Sequence, residues 1–263
     1  MQSRFRAYFV LASFIAFTVP LMPVQALLLR ISPGLARRFP HWYHRRVCRL
    51  IGLSVTIEGA VARDRAVLIV ANHVSWLDIP LLSAVAPVSF VAKKDVASWP
   101  FIATLARLQR TVFVDRERRF KVQDATNEII DRLNAGDTIV LFAEGTSSDG
   151  NRVLPFKTSL FAAVKPAERA ADAARPQTAV QTVSIAYMRR NGLPLGWFGR
   201  RAFGYYGDVE MGANAWDVLS GGAIEAVVHI DAPVSLDSFI DRKDLARRSE
   251  IAVRDGVRSA LRR

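Results

Sequence analysis

Apolar residues are concentrated first at the amino terminus, where residues 7–29 contain no charged side chain. This stretch is long enough to cross a bilayer as one helix, since about 20 residues suffice. Pro20 and Pro23 interrupt it, and a proline inside a helix removes a hydrogen bond and bends the helix. The pattern predicts either one kinked spanning helix or an apolar helix, a break and a second helix returning along the surface. Residues 1–50 are expected to form this membrane-associated helical segment.

Positive charges flank the apolar run. Two arginines precede it, whereas six follow it within residues 30–49. Because positively charged flanks stay on the cytoplasmic side, the rest of the chain is expected to face the cytoplasm at the inner membrane. A cleaved signal peptide is the alternative, with residues 24–26 as a passable cleavage site. We favour an uncleaved segment, because apolar residues 27–29 and the arginines follow that site at once.

After residue 50 the pattern alternates between short β-branched runs and amphipathic stretches. It predicts strands at residues 53–58, 66–71, 88–92, 111–114, 138–143, 181–187 and 223–230, and helices at residues 78–86, 98–108, 118–134 and from about 241 onwards. Residues 165–179 are alanine-rich, charged and punctuated by proline, which indicates a surface insertion. The alternation predicts one α/β domain at residues 51–263, with a mixed, mostly parallel sheet flanked by helices.

Composition and charge narrow the class of protein. Of 263 residues, 51% are hydrophobic and 23% are charged, which excludes a disordered chain. Lys and Arg number 36 against 24 Asp and Glu, so the formal net charge is +12 and an anionic partner is expected. No recognised nucleic-acid-binding motif accompanies the charge, so membrane lipids or an acidic substrate are favoured over nucleic acid.

One group of residues could bind a metal ion. His41, His44 and Cys48 have a spacing that could bring them to one helix face as zinc ligands. Arginines surround them and no carboxylate is near, so we favour an interface role and expect no metal site. Cys48 is the single cysteine of the chain, which excludes an intramolecular disulfide.

Candidate chemistry begins where the strand at residues 66–71 ends. His73 and Asp78 follow it, with His73 in the turn and Asp78 at the start of the next helix. From there the carboxylate can accept the Nδ1 proton of the imidazole and leave Nε2 as a general base. No GxSxG motif supplies a nucleophile, so this base is expected to activate a substrate hydroxyl directly. The alternative is that Asp78 only caps the helix and His73 is a buried turn residue.

Two more polar loops follow predicted strands. The strand at residues 138–143 leads into Glu144, Gly145, Thr146 and Ser147, which suits a loop that binds a polar ligand. Arg116 follows the strand at residues 111–114, and arginine suits an anionic headgroup or a carboxylate. A structural turn and a solvated helix start remain the alternatives for these two loops.

Taken together, these motifs resemble those of the PlsC-type glycerolipid acyltransferase superfamily. The segment NHVSWLD at residues 72–78 is similar to the first family motif, TVFVDR at residues 111–116 to the second and FAEGT at residues 142–146 to the third. The segment VQTVSIAY at residues 180–187 resembles a degenerate fourth motif that lacks the usual proline. The resemblance covers about residues 50–230.

The resemblance implies an enzyme with roles for named residues. His73 would be the catalytic base, Asp78 its partner, and Arg116 with residues 144–147 the binding site for the acceptor lipid. It further implies acyl-ACP or acyl-CoA as the donor, no cofactor and no metal, and a membrane-associated N-terminal pair of helices.

One departure bears on the acceptor. Family members that use a phosphate acceptor usually carry arginine directly after EGT, where this chain has Ser147. The longer segment EGTSSDGNRVLPF resembles that of bacterial lyso-ornithine lipid acyltransferases, whose acceptor has no phosphate. We therefore favour a lyso-ornithine lipid O-acyltransferase. The alternatives are a 1-acyl-sn-glycerol-3-phosphate acyltransferase and, from a different class, a non-catalytic basic protein that binds the membrane surface.

Overall fold

The computed structural model describes residues 3–115, 119–161, 178–207 and 209–262. Its helices, in chain order, are α1 (Arg4–Ile31), α2 (Pro33–Ile51), α3 (Asp78–Val85), α4 (Pro100–Leu108), α5 (Arg119–Asn134), α6 (Trp197–Arg201), α7 (Met211–Ser220) and α8 (Arg242–Leu261). Its strands are β1 (Leu53–Glu58), β2 (Val67–Ala71), β3 (Ser89–Lys93), β4 (Val112–Val114), β5 (Thr138–Phe142), β6 (Ala179–Arg190), β7 (Leu193–Pro194), β8 (Ile224–Ile230) and β9 (Val234–Ser235).

The strands form one mixed sheet in the order β1-β8-β6-β2-β5-β3-β4. From β6 to β4 all neighbours are parallel, whereas β8 runs antiparallel to β6 and β1 runs parallel to β8. The short strands β7 and β9 pair with β6. A mixed, mostly parallel sheet is therefore confirmed, and β2, β5 and β6 end at the same edge.

Helices cover both faces of the sheet. On one face α2 and α3 pack over Val67, Ile69 and Ala71 of β2, whereas α5 and α8 cover the other face, which carries Leu68 and Val70. Every residue of β2 is buried. This explains the unbroken apolar run of the strand, because a central parallel strand is covered on both sides.

The N-terminal segment is not broken at its prolines. Pro20 and Pro23 lie inside one continuous helix, and the chain turns only at Ser32, which leads into α2. Polar side chains on either side of the prolines bind α1 to its neighbours: Thr18 hydrogen-bonds to Tyr43 and Gln25 donates to the carbonyl oxygens of Ala36 and Leu108. These contacts favour one continuous helix despite the two missing N–H donors.

The three residues considered as zinc ligands contact α3. His41 Nδ1 lies 2.8 Å from the Ser83 carbonyl oxygen, His44 Nδ1 lies 2.9 Å from Ser83 Oγ, and the Cys48 thiol is directed at the Pro80 carbonyl oxygen. Burial lowers the pKa of His44 to about 4 and raises that of Cys48 to about 12. Both groups are therefore uncharged near neutral pH and join α2 to α3.

Smaller differences concern element ends. Helix α4 begins at Pro100, two residues later than predicted, and the Ser98 hydroxyl donates to the Asp95 carbonyl oxygen. Strand β6 is longer at both ends than the segment predicted for it. The predicted surface insertion at residues 165–179 lies outside the described residues except for its last two.

Candidate active site

His73 lies in the loop between β2 and α3, at the carboxyl edge of the sheet. Its Nδ1 atom is 2.8 Å from Asp78 Oδ2. Because a carboxylate only accepts hydrogen bonds, Nδ1 carries the proton and Nε2 has the free lone pair. The imidazole stacks on Phe142 with ring centroids 4.1 Å apart, and 22% of the His73 side chain is exposed. None of the described residues hydrogen-bonds to Nε2, so this atom is available to a substrate.

Asp78 is fully buried at the first turn of α3, and both of its carboxylate oxygens are occupied. Besides the imidazole, Oδ2 accepts the backbone N–H groups of Val74 and Ser75 at 2.7 and 2.9 Å. Oδ1 accepts the hydroxyl of Tyr187 at 2.7 Å. Asp78 therefore orders the loop that carries His73 as well as the imidazole itself.

Glu144 lies at the end of β5 beside this loop and is only 1% exposed. Its Oε1 accepts the backbone N–H of His73 at 2.9 Å and its Oε2 accepts that of Leu154 at 3.0 Å. Burial raises its pKa to about 8, although the two backbone hydrogen bonds oppose the rise. With both oxygens bound to the backbone, this carboxyl orders the His73 loop.

The turn after Glu144 brings the remaining third-motif residues to the same edge. Gly145 has a φ of +69°, which only glycine adopts readily, and its N–H is directed at the Phe142 carbonyl oxygen. Thr146 is exposed, whereas Ser147 is nearly buried and donates its hydroxyl to the Tyr205 carbonyl oxygen. Thr146 is thus the hydroxyl of this turn that faces open space.

Residues 196–207, which sequence reasoning left unassigned, close over the two loops. The N–H of Tyr205 donates to the Val74 carbonyl oxygen at 3.0 Å, and Asn151 Nδ2 donates to the Trp197 carbonyl oxygen at 3.1 Å. A Cβ on Gly204 would lie 2.8 Å from the Ser148 carbonyl oxygen, so glycine is required at this approach. The sequence feature that could have indicated this role is the group of glycines and aromatic residues in residues 196–207.

Arg116 lies outside the described residues. Its neighbour Asp115 is nearly buried and pairs with Lys94, the two charged atoms being 3.0 Å apart. Tyr187 is the last residue of the segment that resembles the fourth motif. Its contact with Asp78 joins residues 109 positions apart, and local spacing does not predict such a contact.

The arrangement suits general-base catalysis on a substrate hydroxyl. A neutral imidazole can take the hydroxyl proton through Nε2, and Asp78 then stabilises the imidazolium. Among the described residues, no group of three or more His, Cys, Asp or Glu side chains is placed to bind a metal ion.

Comparison with known proteins agrees with this chemistry. The family model described as Acyltransferase matches residues 53–186, a segment that includes His73, Asp78 and residues 144–147. The chain therefore belongs to the Acyltransferase family, and it is an acyltransferase.

Two relatives are similar to this chain over most of its length. The chain is 46% identical over 261 residues to "Lyso-ornithine lipid O-acyltransferase" of Brucella abortus (strain 2308), covering 99% of this chain and 97% of that protein. It is 43% identical over 232 residues to the protein of the same name from Rhizobium meliloti (strain 1021), covering 86% and 77%.

A solved structure supports the fold. The 1-acyl-sn-glycerophosphate (LPA) acyltransferase PlsC from Thermotoga maritima superposes with a TM-score of 0.67 at 26% identity, and the match covers 97% of this chain and 93% of that one. The predicted likeness to PlsC-type acyltransferases is thereby confirmed.

Proposed function

We propose that this acyltransferase moves a fatty acyl group from an acyl thioester, acyl-ACP or acyl-CoA, to the free hydroxyl of lyso-ornithine lipid. The products are ornithine lipid and the free thiol. The observation that supports this acceptor is the similarity along almost the whole chain to proteins named for that reaction. Serine at position 147, in place of the arginine of phosphate-using members, agrees with a phosphate-free headgroup.

In the proposed reaction His73 Nε2 takes the proton from the lyso-lipid hydroxyl. The oxygen attacks the thioester carbonyl, and the tetrahedral intermediate collapses as the C–S bond breaks. The imidazolium then returns its proton to the departing thiolate, so the enzyme ends as it began. Asp78 keeps Nδ1 protonated throughout and stabilises the transient positive charge. No metal or cofactor enters this scheme.

The acceptor headgroup is proposed to bind at the turn after Glu144, with Arg116 as a further binding residue. Thr146 is exposed there, and the guanidinium of Arg116 would match the planar α-carboxylate of the ornithine group. The Ser147 hydroxyl hydrogen is already donated to Tyr205. Ser147 is therefore proposed to join this turn to residues 196–207.

We further propose that α1 lies in the plane of the membrane. It is long and apolar enough to cross a bilayer, but both of its ends bind the α/β domain. The N–H of Ser3 donates to the Ser220 carbonyl oxygen at 3.0 Å, and Gln25 near the other end donates to Leu108. A helix anchored to one domain along its length suits partial insertion into one leaflet, here the cytoplasmic leaflet of the inner membrane, where acyl-ACP and acyl-CoA are found.

A competition assay tests the acceptor. Purified protein in mixed micelles receives one labelled acyl thioester and equal amounts of lyso-ornithine lipid and 1-acyl-sn-glycerol 3-phosphate. We expect labelled ornithine lipid to dominate. The likeness to PlsC favours the phosphate lipid as the second candidate, and dominant labelled phosphatidate would overturn the proposed acceptor.

Measuring acyl transfer and vesicle binding on one variant separates catalysis from surface binding. His73→Asn should abolish transfer but leave binding to anionic vesicles unchanged, because the substitution leaves every residue of α1 as it is. Equal transfer by this variant and the wild type would contradict the proposed role of His73.

A further inference from the structure

Tyr187 of β6 reaches the carboxylate that orients the proposed base. Its side chain is 2% exposed, and its hydroxyl donates to Asp78 Oδ1 at 2.7 Å. The other oxygen, Oδ2, accepts from the His73 loop alone. The carboxylate is therefore held from two directions, by the loop on one oxygen and by the central strand β6 on the other.

The position of Tyr187 is fixed by its surroundings. Its ring stacks on the fully buried ring of Phe203, with centroids 5.7 Å apart and an interplanar angle of 11°. Two residues earlier in β6, the backbone of Ile185 exchanges hydrogen bonds with the Asn72 side chain at 2.8 and 3.0 Å. Asn72 precedes His73 directly, so β6 and the catalytic loop are kept in register at the point where Tyr187 meets Asp78.

Burial and the neighbouring Asp78 carboxylate raise the pKa of Tyr187 well above its usual value. The phenol therefore stays protonated near neutral pH. Two further titratable groups lie close to the pair: the Glu144 carboxyl faces Asp78 and the Cys48 thiol of α2 faces Tyr187. The Tyr187 hydroxyl is thus a permanent donor to Oδ1.

We propose that Tyr187 is a positioning residue that sets the basicity of His73 through Asp78. By donating to Oδ1 it fixes the carboxylate with Oδ2 towards the imidazole and withdraws part of its negative charge. A less negative carboxylate stabilises the imidazolium form of His73 less strongly. This inference rests on the proposed role of the His73–Asp78 pair as the base. Tyr187 itself lies one position beyond residues 53–186, the segment that the family model matches.

The first test is Tyr187→Phe, which keeps the ring and its stacking on Phe203 but removes the donor. We expect kcat to fall about tenfold, as for the loss of one hydrogen bond to a charged group. The KM for the lyso-lipid should not change, because Tyr187 is buried away from it. The acidic limb of the pH–kcat profile should move to higher pH, since a more negative carboxylate favours the imidazolium form.

Tyr43→Phe is the matched control. It also removes one tyrosine hydroxyl that makes a 2.7 Å hydrogen bond, in this case a partly buried one to Thr18 of α1. A general loss of stability should lower the melting temperature of both variants. Only Tyr187→Phe should shift the acidic limb.

A second measurement does not depend on which lipid is used. The chain has four histidines, so the His73 ring signal can be assigned by NMR from its absence in His73→Asn. The midpoint of its titration should rise in Tyr187→Phe and stay constant in Tyr43→Phe. Replacing Tyr187 with a difluorotyrosine, a stronger donor with the same ring, should lower it, and this variant also serves if Tyr187→Phe does not fold.

An unchanged midpoint in both Tyr187 variants would overturn the proposal, as would a rise in the difluorotyrosine protein. Failure of the wild type to acylate any lyso-lipid would instead overturn the proposed function. The titration would still show whether Tyr187 acts on His73.

Discussion

His73 and His44 each hydrogen-bond through Nδ1 to the same helix, α3, one at its first residue and one near its end. His73 binds the Asp78 carboxylate, whereas His44 binds the neutral Ser83 hydroxyl, and the two distances are 2.8 and 2.9 Å. Both imidazoles are partly buried, and burial lowers the pKa of His44 to about 4. The two imidazoles thus differ in the charge of the group that Nδ1 contacts, which is a carboxylate for the proposed base and a hydroxyl for His44.

Replacing each histidine by asparagine tests that difference most strongly. Asparagine at residue 73 can still donate to Asp78 through Nδ2, so the loop should persist while the base is lost. General-base assistance is worth about 10²–10⁴-fold in rate, and we expect His73→Asn to lose nearly all of it. His44→Asn should keep most activity and instead lower the melting temperature. Comparable loss of activity in both folded variants would remove the distinction.

Asp78→Asn should have the next largest effect. An amide nitrogen cannot accept the hydrogen bonds that this carboxylate receives, so the imidazole is expected to turn or change its tautomer. We expect kcat to fall about 10²-fold, measured with the lyso-lipid at saturation. The control is Asp231→Asn, which changes another carboxylate that contacts a histidine, His229, at 3.2 Å and outside the site. Equal rates in the two variants would count against the pairing of Asp78 with the base.

Glu144→Gln should reduce activity about tenfold. The NH₂ group of the glutamine must face the backbone N–H of either His73 or Leu154, and it cannot accept that hydrogen bond. Glu250→Gln is the control, since that carboxylate accepts one backbone N–H, from Phe156, outside the loop. A wild-type rate in a folded Glu144→Gln protein would show that the loop does not need this carboxyl.

The Glu144 carboxyl also gives a pH signature. Its pKa is about 8 in the folded protein and about 4.5 in the unfolded chain. Between these values the folded state keeps a proton that the unfolded state has released, so this group lowers the free energy of unfolding as pH rises from about 4.5 to about 8. Denaturant titrations should therefore show a steeper fall in the free energy of unfolding with pH for the wild type than for Glu144→Gln. Above about pH 8 the two proteins should have the same slope.

The titration of His44 should have the smallest effect on the free energy of unfolding, and its dependence on pH should have the opposite sign. Its pKa falls from 6.5 in the unfolded chain to about 4 in the folded protein. The unfolded state therefore binds a proton first, and this group lowers stability as pH falls from 6.5 to about 4. His44→Asn should lose this part of the acid sensitivity. An unchanged slope would mean that burial does not lower the pKa of His44.

The sequence allowed the alternation of strands and helices and the His73–Asp78 pairing to be predicted, because both depend on local spacing. The contact between Tyr187 and Asp78 depends on β6 lying beside β2, and no local pattern specifies that neighbour. Likewise, Pro20 and Pro23 correctly indicated missing hydrogen bonds. They gave no information on the contacts of Thr18 and Gln25 that keep α1 continuous.

The packing of α1 determines how a detergent-free form of the protein could be engineered. Deleting the helix would take Ala7 and Val10 out of the core and leave the carbonyl oxygens of Ile51 and Leu219 without the Arg6 guanidinium. A truncated chain would therefore expose a new apolar surface and aggregate. Polar substitutions confined to the outward side of the helix would keep these anchors, and the exposed apolar positions available for them include Leu11, Ile15, Val19, Val24 and Leu27.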